Sequence, residues 1–239
     1  MMVRFALAAL VLAASLVPSF AAPSRIIILR HGEKADELKL CAVGLERAKA
    51  LAATYLGSTA TKSLFPKGDE PAFFFAITLH TLELASPAVA SWNKPIILYS
   101  AIPEPGVDAD GFTKALNRRT QEAARNIVSN PALEGKTVVM VWEHKHIANA
   151  ELDAKAGEEA VTLRKLLKLD TLPGVPATWP SANYDYFWVV DYDKNSNVPV
   201  RFSMMKQEFG PDFARIPAND WGQPNGLDAS SGCKLDTAD

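Results

Sequence analysis

The chain has 239 residues, of which 48% are hydrophobic and 22% are charged, a composition typical of a globular protein rather than of a disordered or fibrous one. Its formal net charge of −2 provides no extended basic surface, which disfavours nucleic acid and anionic lipid as partners. Any site for an anion must therefore be built from a local group of cationic or hydrogen-bonding residues.

The N-terminal segment has the pattern of a signal peptide. Arg4 precedes an apolar run that is interrupted by Pro18, and this run is too short to span a bilayer. We expect cleavage after Ala21, export to the periplasm or the medium, and no stable membrane insertion of the mature chain. Residues 22–239 are then expected to form a single α/β domain.

Export would place the two cysteines, Cys41 and Cys233, in an oxidising compartment. A disulfide between them would tie the C-terminal tail to the rest of the domain. Because there are only two cysteines and no spacing pattern, two unrelated thiols remain the alternative.

Apolar runs that alternate with helical patterns predict strands covered by helices. The predicted strands are 26–29, 73–77, 95–99 and 137–142, and the predicted helices are 44–56, 81–92, 112–128 and 157–169. An antiparallel hairpin is predicted next, with strands at 184–192 and 198–205. This order predicts an α/β three-layer sandwich with a mostly parallel central sheet, helices on both faces and the hairpin at one edge.

Histidines follow three of the four predicted parallel strands. His31 comes after the first strand, His80 after the second, and His144 and His146 after the fourth. Because ligands of such sheets bind beyond the carboxyl ends of the strands, we expect these side chains to line one crevice.

The residues around His31 suit the transfer of a phosphoryl group. A neutral imidazole can attack phosphorus and carry the group covalently, and the fork of Arg30 can clamp the nonbridging oxygens. Gly32 lets the backbone approach closely and offers its amide to the same group. The leaving alkoxide would still need a proton from a carboxylic acid.

These residues also carry a family resemblance. The segments LRHGE (29–33), CAVGLERAKALA (41–52) and GKTVVMVWEH (135–144) resemble motifs of the histidine phosphatase superfamily, the phosphoglycerate mutase-like group. The resemblance implies that His31 is the nucleophile, Arg30 a phosphate clamp and His144 the second histidine of the pocket. It implies a metal-independent phosphomonoesterase of the histidine acid phosphatase type, without a cofactor, acting on a small phosphorylated substrate.

The sequence departs from that family at the second residue that clamps the phosphate. The family has an arginine after the second strand, where this chain has His80 at the start of HTLELA (80–85). This substitution implies a weaker phosphate site with reduced activity, a pH-dependent site in which His80 clamps only when protonated, or a lost activity. Arg119, in RRTQEAA (118–124), is the alternative substitute, although its place before the fourth strand disfavours it.

The expected proton donor is Glu104, which follows the third strand at about the offset found in much of the family. Asp108 and Asp110 are close enough in sequence to compete for this role. Glu33 and Glu143 stand next to the catalytic candidates, and we expect them to orient or hydrogen-bond their neighbours instead.

Two other functions remain open. His144 and His146 would point to the same face if they lay on a strand, so a zinc-dependent hydrolase could use them together with His31 or His80. The loss of the second arginine also allows a phosphate-binding or interaction module of the same fold with weakened catalysis.

Overall fold

A six-stranded sheet forms the centre of the computed structural model, which describes residues 22–193 and 196–234. The strands are β1 Arg25–Arg30, β2 Pro71–Ala76, β3 Ile96–Leu98, β4 Thr137–Trp142, β5 Tyr186–Tyr192 and β6 Pro199–Lys206. Their order across the sheet is β3-β2-β4-β1-β5-β6. The first four are parallel, whereas β5 is antiparallel to β1 and pairs with β6 as an edge hairpin. The predicted α/β fold with its edge hairpin is confirmed.

Six α-helices accompany the sheet in the described residues: α1 Ala42–Leu51, α2 Leu79–Ser91, α3 Ala109–Ser129, α4 His144–Ile147, α5 Ala150–Ala156 and α6 Leu163–Leu166. A π-helical turn at Ala52–Leu56 extends α1. Single 3-10 turns lie at Pro131–Leu133, Leu169–Thr171, Pro211–Phe213 and Ala229–Ser231.

The helix predicted over 157–169 is wrong. Gly157 ends α5 with φ of +66°, a positive value that glycine adopts at no steric cost. Thr162 then caps the short α6, because its hydroxyl accepts a hydrogen bond from the backbone N–H of Lys165. The α-helix within this segment is therefore limited to Leu163–Leu166.

The central strand β1 is buried on both faces, and its carboxyl end lies near those of two other parallel strands. Ile26 and Ile28 pack into the core on one face, whereas Ile27 and Leu29 pack into the core beneath α1 and α2 on the other. All four side chains are buried, as the continuous apolar run predicts for a strand covered on both sides. Since β4 lies between β1 and β2, the residues after these three strands meet at one edge of the sheet.

The predicted signal peptide lies outside the described residues. Within the described part of the chain, no helix is both long enough and apolar enough to cross a membrane.

Cys41 and Cys233 form a disulfide, which confirms the pairing that the sequence left open. The bond joins the residue before α1 to the C-terminal tail across a separation of 192 residues. We predict that reduction lowers the free energy of unfolding by about 2–4 kcal/mol, because the reduced unfolded chain gains conformational freedom. Urea unfolding with and without reductant measures this loss.

The double variant Cys41→Ser, Cys233→Ser serves as the control for that experiment. Its unfolding midpoint should not respond to reductant and should match that of the reduced wild type. Equal midpoints for the oxidised and reduced wild type would show that the crosslink contributes nothing.

Candidate functional site

Three histidines meet at the carboxyl ends of β1, β2 and β4. His31 follows β1, His80 lies in the first turn of α2 and His144 begins α4, and all three side chains are buried. The ring centroid of His31 lies 5.0 Å from that of His80 and 5.4 Å from that of His144. The structure therefore brings together the three strand-end histidines that the sequence predicted to share a crevice.

His31 is held as a neutral imidazole with one defined tautomer. Its Nδ1–H donates to the carbonyl oxygen of Gly32 at 2.8 Å, so Nε2 carries the lone pair. Burial lowers the pKa of His31 well below its ordinary value, and the positive charge of Arg30 lowers it further against the opposing effect of Glu143. A neutral imidazole with an available Nε2 lone pair is the state that a nucleophile requires.

Arg30 is fixed by the loop 180–183, which lies about 150 residues away along the chain. Its Nη1 donates to the carbonyl oxygen of Ser181 at 2.5 Å and to two further carbonyls of this loop at 3.3 Å. The guanidinium carbon also lies 3.9 Å from the centre of the Tyr184 ring, a cation–π contact. These contacts leave Nη2 to point towards the histidines.

The second pocket histidine completes this arrangement. Arg30 Nη2 lies 3.1 Å from His31 Nε2 and 3.2 Å from His144 Nδ1, and these two ring nitrogens are 3.2 Å apart. Because arginine can only donate, Nδ1 of His144 accepts, and its Nε2–H donates to the hydroxyl of Ser181 at 3.2 Å. Burial lowers the pKa of His144 well below its ordinary value, and Arg30 adds to this effect.

Glu143 stands between His80 and His31. Its Oε1 accepts hydrogen bonds from His80 Nε2–H at 2.6 Å and from the hydroxyl of Thr78 at 2.8 Å, and its Oε2 lies 3.5 Å from His31 Nε2. Burial alone would raise the pKa of Glu143, but His31, His80 and Lys34 outweigh it and hold that pKa well below the ordinary value. Glu143 therefore orients its neighbours as an ionised carboxylate, in line with the expectation from the sequence.

The structure does not bring Glu104 to the histidines. Glu104 is exposed and lines a separate cavity of about 200 Å³ beside the start of α3. The cause is topological, because β3 is an edge strand that two other strands separate from β1. Of its competitors, Asp108 caps α3 by accepting from the backbone N–H of Gly111, and Asp110 lies on the wall of the crevice beside His144.

Arg119 is also placed elsewhere. Its Nε donates to the carbonyl oxygen of Ser100, and its Nη1 pairs with Glu122 one turn further along α3 at 2.7 Å. Arg119 is thus committed to the helix surface, and His80 alone stands at the position expected for the second clamp.

The alternative zinc site on His144 and His146 does not form. Both residues lie on the short helix α4 rather than on a strand, so a spacing of two does not put them on the same face. Nε2–H of His146 instead donates to Oδ1 of Asn117 at 2.9 Å. Among the described residues, the only cluster of three or more potential metal donors is His31, His80 and Glu143.

Two glycines allow the loop after β1 to pack closely. A Cβ on Gly32 would lie 3.0 Å from Cδ1 of Leu84 on α2, and a Cβ on Gly44 would lie 2.2 Å from the carbonyl oxygen of Glu33. The predicted close approach of the backbone at Gly32 therefore serves packing, and its carbonyl oxygen fixes the tautomer of His31.

Sequence reasoning missed several residues of the site. Lys34 is buried and lines a crevice of about 420 Å³ together with Glu143 and His144, and its charge lowers the pKa of both His31 and His144. Its position directly after RHGE was a usable signal. Ser181 has no comparable signal, since only the fold brings its loop to Arg30.

Comparisons with known proteins find similarity to solved structures. No family model and no curated protein matches the chain. The chain is similar to a protein named as the phosphohistidine phosphatase SixA from Agrobacterium tumefaciens, at 16% identity and a TM-score of 0.33, covering 71% of this chain and 92% of that one. It is also similar to mycobacterial glucosyl-3-phosphoglycerate phosphatase Rv2419c, at 15% identity and a TM-score of 0.41, covering 77% of this chain and 98% of that one. A third similar structure is mycobacterial hydrolase 2, at 15% identity and a TM-score of 0.42, covering 79% of this chain and 94% of that one. At these identities and TM-scores, function has to be inferred from the geometry of the site itself.

His146 makes folding sensitive to acid. Burial lowers its pKa from 6.5 to about 4, and Glu143 opposes this only in part. The folded protein thus binds fewer protons than the unfolded chain, so stability is full above pH 6.5 and falls between pH 6.5 and about 4. By pH 4 this residue alone should lower the free energy of unfolding by about 3 kcal/mol.

Urea unfolding of the wild type and of the variant His146→Gln from pH 7 to pH 4 checks this prediction. The glutamine cannot titrate but can still donate to Asn117. We expect the wild type to lose about 3 kcal/mol more than the variant over this range. Parallel curves for the two proteins would contradict a depressed pKa at His146.

Proposed function

We propose that the protein hydrolyses phosphomonoesters through a phosphohistidine on Nε2 of His31, as a metal-independent enzyme of the histidine acid phosphatase type. The observation that carries this proposal is the meeting of a neutral nucleophilic nitrogen, a fixed guanidinium and a second imidazole within 3.1–3.2 Å of one another. The adjoining crevice of about 420 Å³ suits a small phosphorylated substrate.

In the first half of the reaction, the Nε2 lone pair of His31 attacks phosphorus. The bond between phosphorus and the ester oxygen breaks, and its electron pair leaves with the alkoxide or phenoxide. The guanidinium of Arg30, with Nη2 at 3.1 Å from His31 Nε2, lies where it can neutralise charge on the nonbridging oxygens. In the second half, water attacks the phosphohistidine, which restores the neutral imidazole and releases inorganic phosphate.

The weak point of this site is the protonation of the leaving group. Glu143 is ionised, and Glu104 lines a separate cavity. Esters whose leaving group is a weak base, such as aryl phosphates, need little protonation. Turnover should therefore fall more steeply with leaving-group pKa than it does in an enzyme that has a dedicated acid.

A weakly catalytic phosphate-binding module is the second candidate. The carboxylate of Glu143, 3.5 Å from His31 Nε2, repels a phosphate dianion, and His80 replaces the expected arginine. Both the phosphatase and the phosphate-binding module predict an activity lower than that of the family. Turnover by the purified protein separates them.

The experiment is the hydrolysis of p-nitrophenyl phosphate by the purified mature chain in the presence of a chelator. Rapid quenching in alkali, followed by peptide mapping, should locate an acid-labile phosphate on His31. Turnover with the phosphate on another residue, or hydrolysis that the chelator abolishes, would rule out the proposed mechanism. Binding of phosphate without turnover would favour the second candidate.

We also propose that the chain is exported after cleavage near Ala21. The signal-like pattern of residues 1–21 supports this, and so does the disulfide between Cys41 and Cys233. The intact mass of the protein recovered from the extracytoplasmic fraction should correspond to a chain that begins at Ala22. A full-length mass in the cytoplasmic fraction would contradict export.

A further inference from the structure

A buried carboxylate inside a phosphate pocket is an unusual placement of charge. Glu143 holds one negative charge within 3.5 Å of the nitrogen that would attack phosphorus, and it sits with His80 where the family has an arginine. A phosphate dianion gains nothing from this carboxylate. Two imidazoles and one carboxylate are, however, the donor set that first-row divalent cations such as Zn²⁺ prefer.

We propose that His31, His80 and Glu143 form a binding site for Zn²⁺ or a similar divalent cation, and that the bound ion inhibits the enzyme by occupying the lone pair of His31. The binding is independent of the proposed function, whereas the inhibition rests on it. The donor set contains neither His144 nor His146.

The distances between the donor atoms suit such an ion. One donor atom from each of the three residues lies within 4.8 Å of the others. Ligands at about 2.0–2.2 Å from a tetrahedral ion are separated by roughly 3.3–3.5 Å, which is the spacing of His31 Nε2 and Glu143 Oε2 at 3.5 Å. His80 Nε2 and Glu143 Oε1 are closer, at 2.6 Å, because a proton joins them. An ion that displaces this proton would allow the two atoms to move apart.

The hydrogen bonds that orient His31 and Glu143 are of the kind found around the ligands of known metal sites. Metal-binding histidines usually donate their second ring N–H to a carbonyl or carboxylate, and His31 Nδ1–H donates to the carbonyl of Gly32. The carboxylate of Glu143 is oriented by the hydroxyl of Thr78. Each of the three donors follows a different strand of the same sheet, so the fold rather than a flexible loop sets their positions.

Two cations oppose the binding of a metal. Arg30 Nη2 lies 3.1 Å from His31 Nε2, and Lys34 lines the same crevice as Glu143. Their charge lowers the affinity for a dication, so we expect binding in the micromolar range rather than the tight binding of resident zinc. The same cations favour phosphate, and the pocket should therefore bind either Zn²⁺ or phosphate.

The test is titration of the tag-free, chelator-treated mature chain with ZnCl₂ by isothermal calorimetry, compared with the variants Glu143→Gln, His80→Gln and His146→Gln. We expect one saturable site in the wild type, with an affinity at least about tenfold weaker in the first two variants and unchanged in His146→Gln. Circular dichroism establishes that each variant is folded. Replacement of Zn²⁺ by Co²⁺ gives a second readout, since tetrahedral nitrogen and oxygen ligation produces visible absorption.

Several outcomes would overturn the site: no saturable binding to the wild type, equal affinity in all four proteins, or loss of binding in His146→Gln. The inhibition is tested separately, by the rate of p-nitrophenyl phosphate hydrolysis at increasing Zn²⁺. Rates that are unchanged or raised when the site is saturated would overturn the inhibition and leave the binding in place. Absent turnover at zero Zn²⁺ would contradict the phosphatase proposal, while the calorimetry would still decide the metal site.

Discussion

The variant His31→Ala is expected to hydrolyse p-nitrophenyl phosphate at least about 1,000-fold more slowly than the wild type. Its alanine removes the neutral imidazole whose Nε2 would attack phosphorus, and the phosphohistidine on residue 31 can then no longer form. The loss should appear in kcat, because Arg30 remains to bind the phosphate. Steady-state kinetics, with the phosphohistidine measured in parallel, check both statements.

Glu104→Gln provides the matched control for this measurement. Glu104 was the proton donor expected from the sequence, and the structure places it on a separate cavity, so its variant should retain kcat within about twofold. A tenfold loss in Glu104→Gln would show that the loop after β3 reaches the site during turnover. Full activity in a folded His31→Ala protein would falsify the phosphohistidine mechanism.

The sequence predicted the strands and the strand-end histidines because both depend on local pattern and simple topology. The apolar run of β1 has to be buried on both faces, and the parallel order then places His31, His80 and His144 together at the carboxyl ends of the strands. Glu104 was misplaced because an offset along the chain does not reveal that β3 lies at the edge of the sheet. The distance of a residue from the site depends on the order of the strands in space.

Two other differences between sequence and structure have local causes that propensity alone does not resolve. The alternative zinc site needed His146 on the same face as His144, but β4 ends at Trp142 and the chain turns at once into α4. Within the helix predicted over 157–169, α6 begins only at Leu163, where Thr162 caps it.

The most consequential omission from the sequence analysis is Arg47 on α1. Its buried guanidinium donates to both carboxylate oxygens of Glu33, the shortest of these bonds being 2.6 Å, and to Oδ1 of Asp185 at 2.6 Å and Oε1 of Gln207 at 3.2 Å. Burial alone would lower the pKa of Arg47, but Glu33 and Asp185 outweigh it and raise that pKa. The hydrogen bonds of Arg47 join the loop after His31 to the start of β5, and they connect residues that lie far apart in sequence.

Arg47→Met is expected to reduce the free energy of unfolding by about 3–5 kcal/mol at pH 7, because it leaves Glu33 and Asp185 as buried carboxylates without their counter-ion. Burial already raises the pKa of Asp185 against the effect of Arg47. Without the arginine, the folded-state pKa of Asp185 should rise further above the unfolded value. The deficit should therefore be full at neutral pH and shrink as the pH falls towards 4 and Asp185 becomes protonated.

Urea unfolding at pH 7 and pH 5 measures this deficit, with Arg215→Met as the control. Arg215 has an exposed side chain that lies 3.6 Å from Glu46, and the loss of such a surface pair should change stability by less than about 0.5 kcal/mol. A deficit in Arg47→Met that is below about 1 kcal/mol, or that grows on acidification, would contradict the assignment of this group as a buried ion-pair network. Because Glu33 follows directly after the Arg-His-Gly segment, the same variant should also lose activity before it unfolds, and this would connect the stability of the network to the position of the nucleophile.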